Sequence, residues 1–196
     1  RRQRQMCIRD SFYLDNLYFN NSAPTIGTPT VPQEAAPVPT EDAGAVISLF
    51  SDSYDDVAVK DFGPVWGGWQ TSRVAKTEDG SMYHFTDVNV QGIQIVDPVT
   101  GRGAINASSK TSLHMDLWMA AAGEVEFRLI SPGGGEAGIG LSGEAGWNSF
   151  NIDLDAFAGV NMSNITQAMF LTESNGVQLF QTPAKDFYLD NLYFNN

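Results

Sequence analysis

The sequence predicts an all-β protein, a two-sheet antiparallel β-sandwich of the jelly-roll type. Short runs rich in Val, Ile, Phe and Tyr are separated by clusters of Gly, Pro, Asn and Asp, which is the pattern of strands and turns. No stretch longer than about eight residues has the apolar period of 3.6 that marks a helix. About ten such runs suit two packed sheets.

Each run has the length of an ordinary strand. Together they predict strands at residues 46–50, 57–60, 82–86, 90–96, 111–119, 124–130, 147–154, 166–172, 177–180 and 186–194. A single helical turn is expected after Leu154.

The alternation of side chains is clearest in residues 111–119. Because successive side chains of a strand point to opposite faces, one set of this run should lie in the core: Leu113, Met115, Leu117 and Met119. The other set should face outward: His114, Asp116 and Trp118. The same rule places one face of the last strand at Tyr188, Asp190, Leu192 and Phe194, and Trp147 is expected in the core.

The charge balance disfavours whole classes of partner. The chain has 11 Lys and Arg against 23 Asp and Glu, a net charge of -12. Such a surface repels nucleic acid and anionic membranes, so neutral molecules or bound cations are the expected partners. No apolar stretch reaches the roughly 18 residues that a membrane span requires, so no membrane insertion is expected.

Residues 1–11, RRQRQMCIRDS, resemble the in-frame translation of a transposase-based sequencing adapter. We therefore exclude them from the fold as a processing scar; the alternative is a basic N-terminal arm. The exclusion removes Cys7, the one cysteine.

A repeat sets the domain organisation. Residues 12–21 read FYLDNLYFNN, and residues 187–196 are identical at all ten positions. Repeats mark tandem modules, so residues 12–21 are interpreted as the last strand of a truncated preceding module; a misjoined sequence is the alternative. Residues 22–44 hold five of the nine prolines and predict an extended linker. Residues 45–196 are then one complete module.

Four segments carry a resemblance to a known family: VISLFSDSYDDVAV, LHMDLWMA, GWNSFNIDLDAFAG and FYLDNLYF. They resemble the repeated carbohydrate-binding jelly-roll modules, of galactose-binding-like fold, that accompany secreted laminarinases and other β-glucanases of marine bacteria. The resemblance covers essentially all of residues 45–196. It implies a secreted or cell-surface, non-catalytic module, monomeric within a larger chain, that directs a polysaccharide-degrading enzyme to a neutral β-glucan such as laminarin.

The residues themselves suggest where a sugar could bind. A neutral sugar has an apolar face and a rim of hydroxyls, so its site needs aromatic rings beside hydrogen-bonding groups. Trp66 and Trp69 lie in VWGGW, a glycine-containing loop, where they either stack on sugar or cap the sandwich. Trp118 lies on the polar face of its strand beside His114 and Asp116, where it either belongs to a binding face or is covered by a neighbouring loop. The further candidates for a ring surface or for hydrogen bonds are Tyr83, Arg73, Gln94 and Asn89, although a surface or core role is favoured for each one taken singly.

The acidic residues suggest a structural calcium ion. Asp52 and Asp56 lie in the turn after the first strand, and Asp190 lies in the last strand. In modules of the family it resembles, these two strands run close together, and calcium prefers carboxylate and carbonyl oxygens. A plain solvated acidic turn is the alternative.

Two other functions compete with glycan binding. An enzyme that cleaves glycosidic bonds needs two suitably spaced carboxylates, and the jelly-roll glucanase pattern E-x-D-x-x-E is missing from the sequence. Catalysis by this module is therefore not expected. Tandem β-sandwiches on proline-rich linkers also form calcium-stabilised spacers or adhesins of cell-surface proteins, which is the alternative function.

Overall fold

A computed structural model describes residues 29–97 and 103–196. The adapter-like segment, the first copy of the repeat and the start of the linker lie outside the described residues. Over the described ranges no helix is long and apolar enough to cross a membrane.

The described chain is built from strands, with two short 3-10 helices at Ala43–Ala45 and Leu154–Ala156. The first strands are β1 (Ile47–Phe50), β2 (Arg73–Lys76), β3 (Tyr83–Thr86), β4 (Val90–Gln94), β5 (Ser112–Met119) and β6 (Gly123–Ser131). The remaining strands are β7 (Gly135–Gly143), β8 (Gly146–Asp153), β9 (Gln167–Leu171), β10 (Glu173–Ser174), β11 (Val177–Gln178) and β12 (Phe187–Asn195).

Two antiparallel sheets form the sandwich, as predicted. The six-stranded sheet has the order β2-β3-β12-β5-β8, and β1 pairs with the far end of β12. The four-stranded sheet has the order β4-β9-β6-β7. A small hairpin, β10-β11, lies apart from both.

The core fills the space between the sheets, and four phenylalanines form its centre. Phe170 of the four-stranded sheet lies 5.0 Å from Phe187, 5.2 Å from Phe85 and 5.0 Å from Phe127, measured between ring centroids. All four side chains are completely buried. Aromatic packing of this kind is a large apolar contribution to stability. The side chains of β5 predicted to face inward are confirmed in the core.

A β-bulge in β12 overturns one predicted face. The register with β5 shifts between Asp190 and Tyr193, and Asn191 has a φ of 52°. The extra residue reverses the alternation, so that the inward side chains are Phe187, Leu189, Leu192 and Phe194. The prediction that Tyr188 and Asp190 share a face with Leu192 and Phe194 was therefore wrong.

Trp147 was also assigned wrongly. It pairs across the ladder with Trp118, so both indoles lie on the outer face of the six-stranded sheet, away from the core. Trp147 keeps partial exposure there. Predicted strands at 57–60 did not form, whereas β2 and β7 were not predicted.

Candidate functional site

Trp66 lies flat against the outer face of β4. Its indole occupies the space above Gly92, where a Cβ would lie 2.2 Å from the ring. The neighbouring Gln91 and Ile93 point inward and are buried, so the contact is on the face turned away from the core. The lack of a side chain at Gly92 therefore leaves the space that the Trp66 ring occupies.

Trp69 projects at the rim of a hollow of about 460 Å³. Its side chain is 58% exposed, although it folds back against Gly67. The rest of the hollow is lined by Asn89, Val90, Leu171, Glu173, Ser174, Asn175 and Gly176. It thus combines an apolar floor from β4 and β9 with a polar rim from the β10-β11 hairpin, which is the composition of a small-ligand site.

Three amide side chains hold the tryptophan loop, residues 63–72, in place. Gln70 accepts from the Trp66 N–H and donates to the Pro64 carbonyl, at 3.1 Å each. Asn89 donates to the Trp69 carbonyl at 3.0 Å and accepts from the Thr71 N–H and the Ser72 hydroxyl. Gln91 accepts from Gln70 at 2.8 Å. Both tryptophans are therefore presented by a loop whose backbone is fixed from below.

Gln94 shares a face with this site. It lies two residues beyond Gly92 on β4, and its amide already accepts from Gln167 at 2.8 Å and donates to the Val96 carbonyl. Arg73 lies in a neighbouring hollow and forms an exposed ion pair with Asp87 at 3.5 Å. Exposed pairs of this length are weak, so the guanidinium can turn to another partner.

Tyr83 lies elsewhere, at one open end of the sandwich. Its ring stacks on Phe62 with centroids 4.2 Å apart and contacts Phe50 edge-on at 4.7 Å. Burial raises the pKa of its hydroxyl, and the charges of Asp56 and Asp61 add to the shift. The ring also lines a hollow of about 440 Å³ that is separate from the tryptophan loop.

Trp118 lies on the opposite sheet and is only 7% exposed. It contacts Tyr188 edge-on, and residues of the linker line the space above it. The structure thus brings together Trp66, Trp69 and Gln94, places Arg73 near them, and separates Tyr83 and Trp118 from them.

The predicted calcium ligands lie around the β12 bulge. Asp190 is 6% exposed and pairs directly across the ladder with buried Asp116. Asp52 is exposed, and Asp56 accepts from the Ser48 hydroxyl at 2.6 Å and the Ser51 N–H at 3.0 Å. Across the described ranges no group of three or more acidic, His or Cys side chains has a metal-binding arrangement.

Asp190 has an unusual charge environment. Burial raises its pKa to about 7, although the Asn191 N–H lowers it, and the charges of Asp52, Asp116 and Asp56 add to the rise. The neighbouring Asp116 behaves oppositely: burial opposes its ionisation, but hydrogen bonds from His114, Ser149 and Asn191 lower its pKa overall. Burial and the neighbouring carboxylates thus both disfavour the ionised form of Asp190.

Comparison with known proteins finds likeness only at the level of structure. No model of a protein family matches the chain, and no curated protein matches it in sequence. Several solved structures whose backbones can be superposed on part of this chain are carbohydrate-binding modules. One is the family 11 module from Clostridium thermocellum in complex with a β-1,3-1,4-mixed-linked tetrasaccharide. It is 13% identical, covers 64% of this chain and 82% of its own, and has a TM-score of 0.42.

Two further matches are similar in extent. The family 11 module of a cellulosomal cellulase of Clostridium thermocellum is 14% identical over 72% of this chain and 96% of its own, with a TM-score of 0.45. A family 29 module complexed with mannohexaose is 11% identical over 76% and 89%, with a TM-score of 0.47. At these identities and scores no ligand and no site residue carries over to this chain.

Some residues of the site were not predicted. The hairpin that forms its rim carries the dipeptide Asn175-Gly176, a strong local turn signal. Its position beside Trp69, however, depends on tertiary packing. Gln70 and Gln91 gave no distinguishing pattern in the sequence, because loop-holding amides have no fixed spacing.

Proposed function

We propose that the protein is a non-catalytic carbohydrate-binding module that binds a neutral polysaccharide through Trp66 and Trp69. The observation that carries the proposal is the 58% exposed indole of Trp69 at the rim of a hollow, on a loop whose backbone is held by amide side chains. An exposed indole is costly in water unless it has a partner, and a sugar face is a suitable one.

The charges around the hollow favour a neutral ligand. Glu173 is the one acidic residue among those lining it, and its carboxylate is paired with Lys185 at 2.8 Å. A glycosidase needs two carboxylates that flank the bond to be cleaved. The hollow therefore suits binding without hydrolysis.

The finer assignments rest on the sequence resemblance. We propose a neutral β-glucan such as laminarin as the ligand, and a secreted polysaccharide-degrading enzyme as the parent protein. The module would be one of a tandem pair, in which weak single sites gain avidity on a repetitive polymer through effective concentration.

Native affinity electrophoresis of the full chain tests the function. Gels would contain laminarin, mixed-linkage glucan, xylan, alginate or no polysaccharide. We expect retardation in a neutral glucan, loss of retardation in Trp66→Ala and Trp69→Ala, and normal retardation in Val65→Ala, which alters an 80% exposed side chain of the same loop. Equal mobility in all gels would reject glycan binding and favour the spacer.

We also propose that calcium binds at the β12 bulge with a structural role. The buried Asp190 carboxylate, with Asp52 and Asp56 close enough to raise its pKa, supports this proposal. Carboxylate oxygens are hard donors that fit calcium. Because the Asp56 Oδ1 atom already accepts two hydrogen bonds, Asp56 would bind the ion through its other carboxylate oxygen. Backbone carbonyls or water would supply the remaining ligands.

The melting temperature checks the calcium proposal. At a calcium concentration about 100 times the Kd, we expect an increase of about 5–10 °C over EDTA. Asp190→Asn should abolish the increase, and Asp55→Asn, in the same acidic turn, should retain it. No difference between calcium and EDTA would reject the site.

A further inference from the structure

The linker does not leave the module as a free chain. From residue 29 to residue 42 it runs without helix or strand across the outer face of the six-stranded sheet. We call this stretch, residues 29–42, the strap. Its half-buried residues are Pro32, Ala36 and Pro39, whereas Val31 and Val38 are exposed. The strap therefore has one face toward the sheet and one toward solvent.

Three side chains of the folded module donate hydrogen bonds to strap carbonyls. Trp147 Nε1 donates to the Glu34 carbonyl at 3.1 Å, and Asn191 Nδ2 donates to the Pro37 carbonyl at 2.9 Å. The Tyr54 hydroxyl donates to the Glu41 carbonyl at 3.0 Å. The donors follow β8, β12 and the turn after β1 in order, so the strap crosses the strands.

The acceptors are spaced three and four residues apart. The strap has no helix or strand, so its carbonyls are not used in regular backbone hydrogen bonding and can accept from side chains of the module. Aromatic surfaces that carry N–H and O–H donors recognise proline-rich segments in this way. The prolines of the strap and the donors on the aromatic surface beneath it are therefore the components of proline-rich peptide recognition.

Contacts within the module hold two of the donor side chains in position. Asn191 Oδ1 accepts from the Ser51 hydroxyl at 2.7 Å, and Asn191 Nδ2 also donates to Asp116 Oδ2 at 2.8 Å, which fixes the amide. The Tyr54 ring packs edge-on against Tyr193 with centroids 5.3 Å apart. Neither Trp147 nor Tyr54 belongs to the core cluster.

We propose that the outer face of the six-stranded sheet is a docking surface for a proline-rich extended segment, and that the strap is its occupant in the intact protein. Docking fixes the side on which the preceding chain approaches the module. It also covers Trp118, occupies the N–H of Trp147, and leaves the four-stranded sheet as the open face.

A glutamate-specific protease tests the docking on the full chain. It cleaves after Glu34 and Glu41, the two residues whose carbonyls accept from Trp147 and Tyr54. We expect cleavage at both bonds to be much slower in the native chain than in a free synthetic peptide of residues 29–44. Equal rates would overturn the proposal without any variant.

A pair of variants tests the contacts themselves. Trp147→Phe combined with Tyr54→Phe removes two donors and keeps an aromatic ring at each position, so we expect cleavage about 5–30-fold faster than in the native chain. Tyr188→Phe is the matched control, because its hydroxyl has no hydrogen bond within the described ranges. A double variant that is cleaved no faster than this control would overturn the proposal.

Added polysaccharide distinguishes the other class of occupant. If laminarin or mixed-linkage glucan accelerated cleavage after Glu34 and Glu41, sugar would be displacing the strap, and the face would be a sugar site rather than a peptide-docking surface. Unchanged protection in the presence of glucan supports the proposal, whether or not glucan binds at Trp69.

Discussion

The position of the Trp66 ring against β4 depends on the absence of a side chain at Gly92. Gly92→Ala would place a methyl group 2.2 Å from the indole, so the ring must move off β4. Overpacking of this kind costs about 1–3 kcal/mol, and we expect polysaccharide affinity about 5–30-fold weaker in affinity gels.

Gly68→Ala is the matched control for this change. Its new methyl group would meet nothing within 4 Å. Gly68 lies in the tryptophan loop, two residues from Trp66. A Gly92→Ala protein that is retarded as strongly as Gly68→Ala would show that the ring position of Trp66 is irrelevant to binding.

Ionisation of Asp190 opposes folding. Its pKa is about 7 in the folded protein against 3.8 ordinarily, so the folded state holds the proton more strongly than the unfolded chain does. Its contribution to stability is complete below about pH 4 and is lost as the pH rises toward 7. A shift of about three pKa units corresponds to at most about 4 kcal/mol.

Chemical denaturation between about pH 4 and pH 8, in EDTA, measures this contribution. Asp190→Asn removes the titrating group, while Asp52, Asp56, Asp116 and His114 remain in both proteins. The wild type should lose free energy of unfolding relative to the variant as the pH rises. Parallel stability curves would mean that Asp190 ionises normally.

Strands were predictable where apolar residues alternate and were missed where glycine replaces them. β5, β6, β8 and β12 were located within about two residues of their bounds. β7 reads GEAGIGLSG, and its glycines lower the strand propensity below what a local pattern detects. Pairing with β6 along its whole length stabilises β7 instead. The bulge at Asn191 was equally hidden, because one inserted residue leaves no local signature.

The glycines of β7 are not equivalent. A Cβ at Gly135 would lie 2.6 Å from the Gly159 carbonyl oxygen and 2.5 Å from the Ser131 hydroxyl, whereas at Gly140 it would make ordinary contact with Phe180 at 3.5 Å. We expect Gly135→Ala to lower the free energy of unfolding by about 1–3 kcal/mol and Gly140→Ala to leave it unchanged or raise it by about 0.5 kcal/mol. Urea denaturation compares them, and equal effects would contradict the close approach.

At the scale of the molecule, the sequence singled out Trp66, Trp69 and Trp118 as candidates but did not predict their distribution over two sheets. Trp66 and Trp69 were singled out by their glycine-containing loop, and Gln94 lies on the same face. Trp118 has an equally suggestive pattern, yet it lies on the other sheet under the strap. Local alternation reports which side of its own strand a residue occupies. It carries no information on which distant segment covers that side.

The two proposals assign different roles to the two faces, polysaccharide binding to the open face and docking of the strap to the other. Effects at distant sites without shared partners add independently. We expect the double variant Trp147→Phe with Tyr54→Phe to be retarded in glucan gels as strongly as the wild type, even though its strap is cleaved faster. Stronger retardation of the double variant would mean that freeing the strap exposes a second sugar site around Trp118. Weaker retardation would mean that strap docking supports the tryptophan loop across the sandwich.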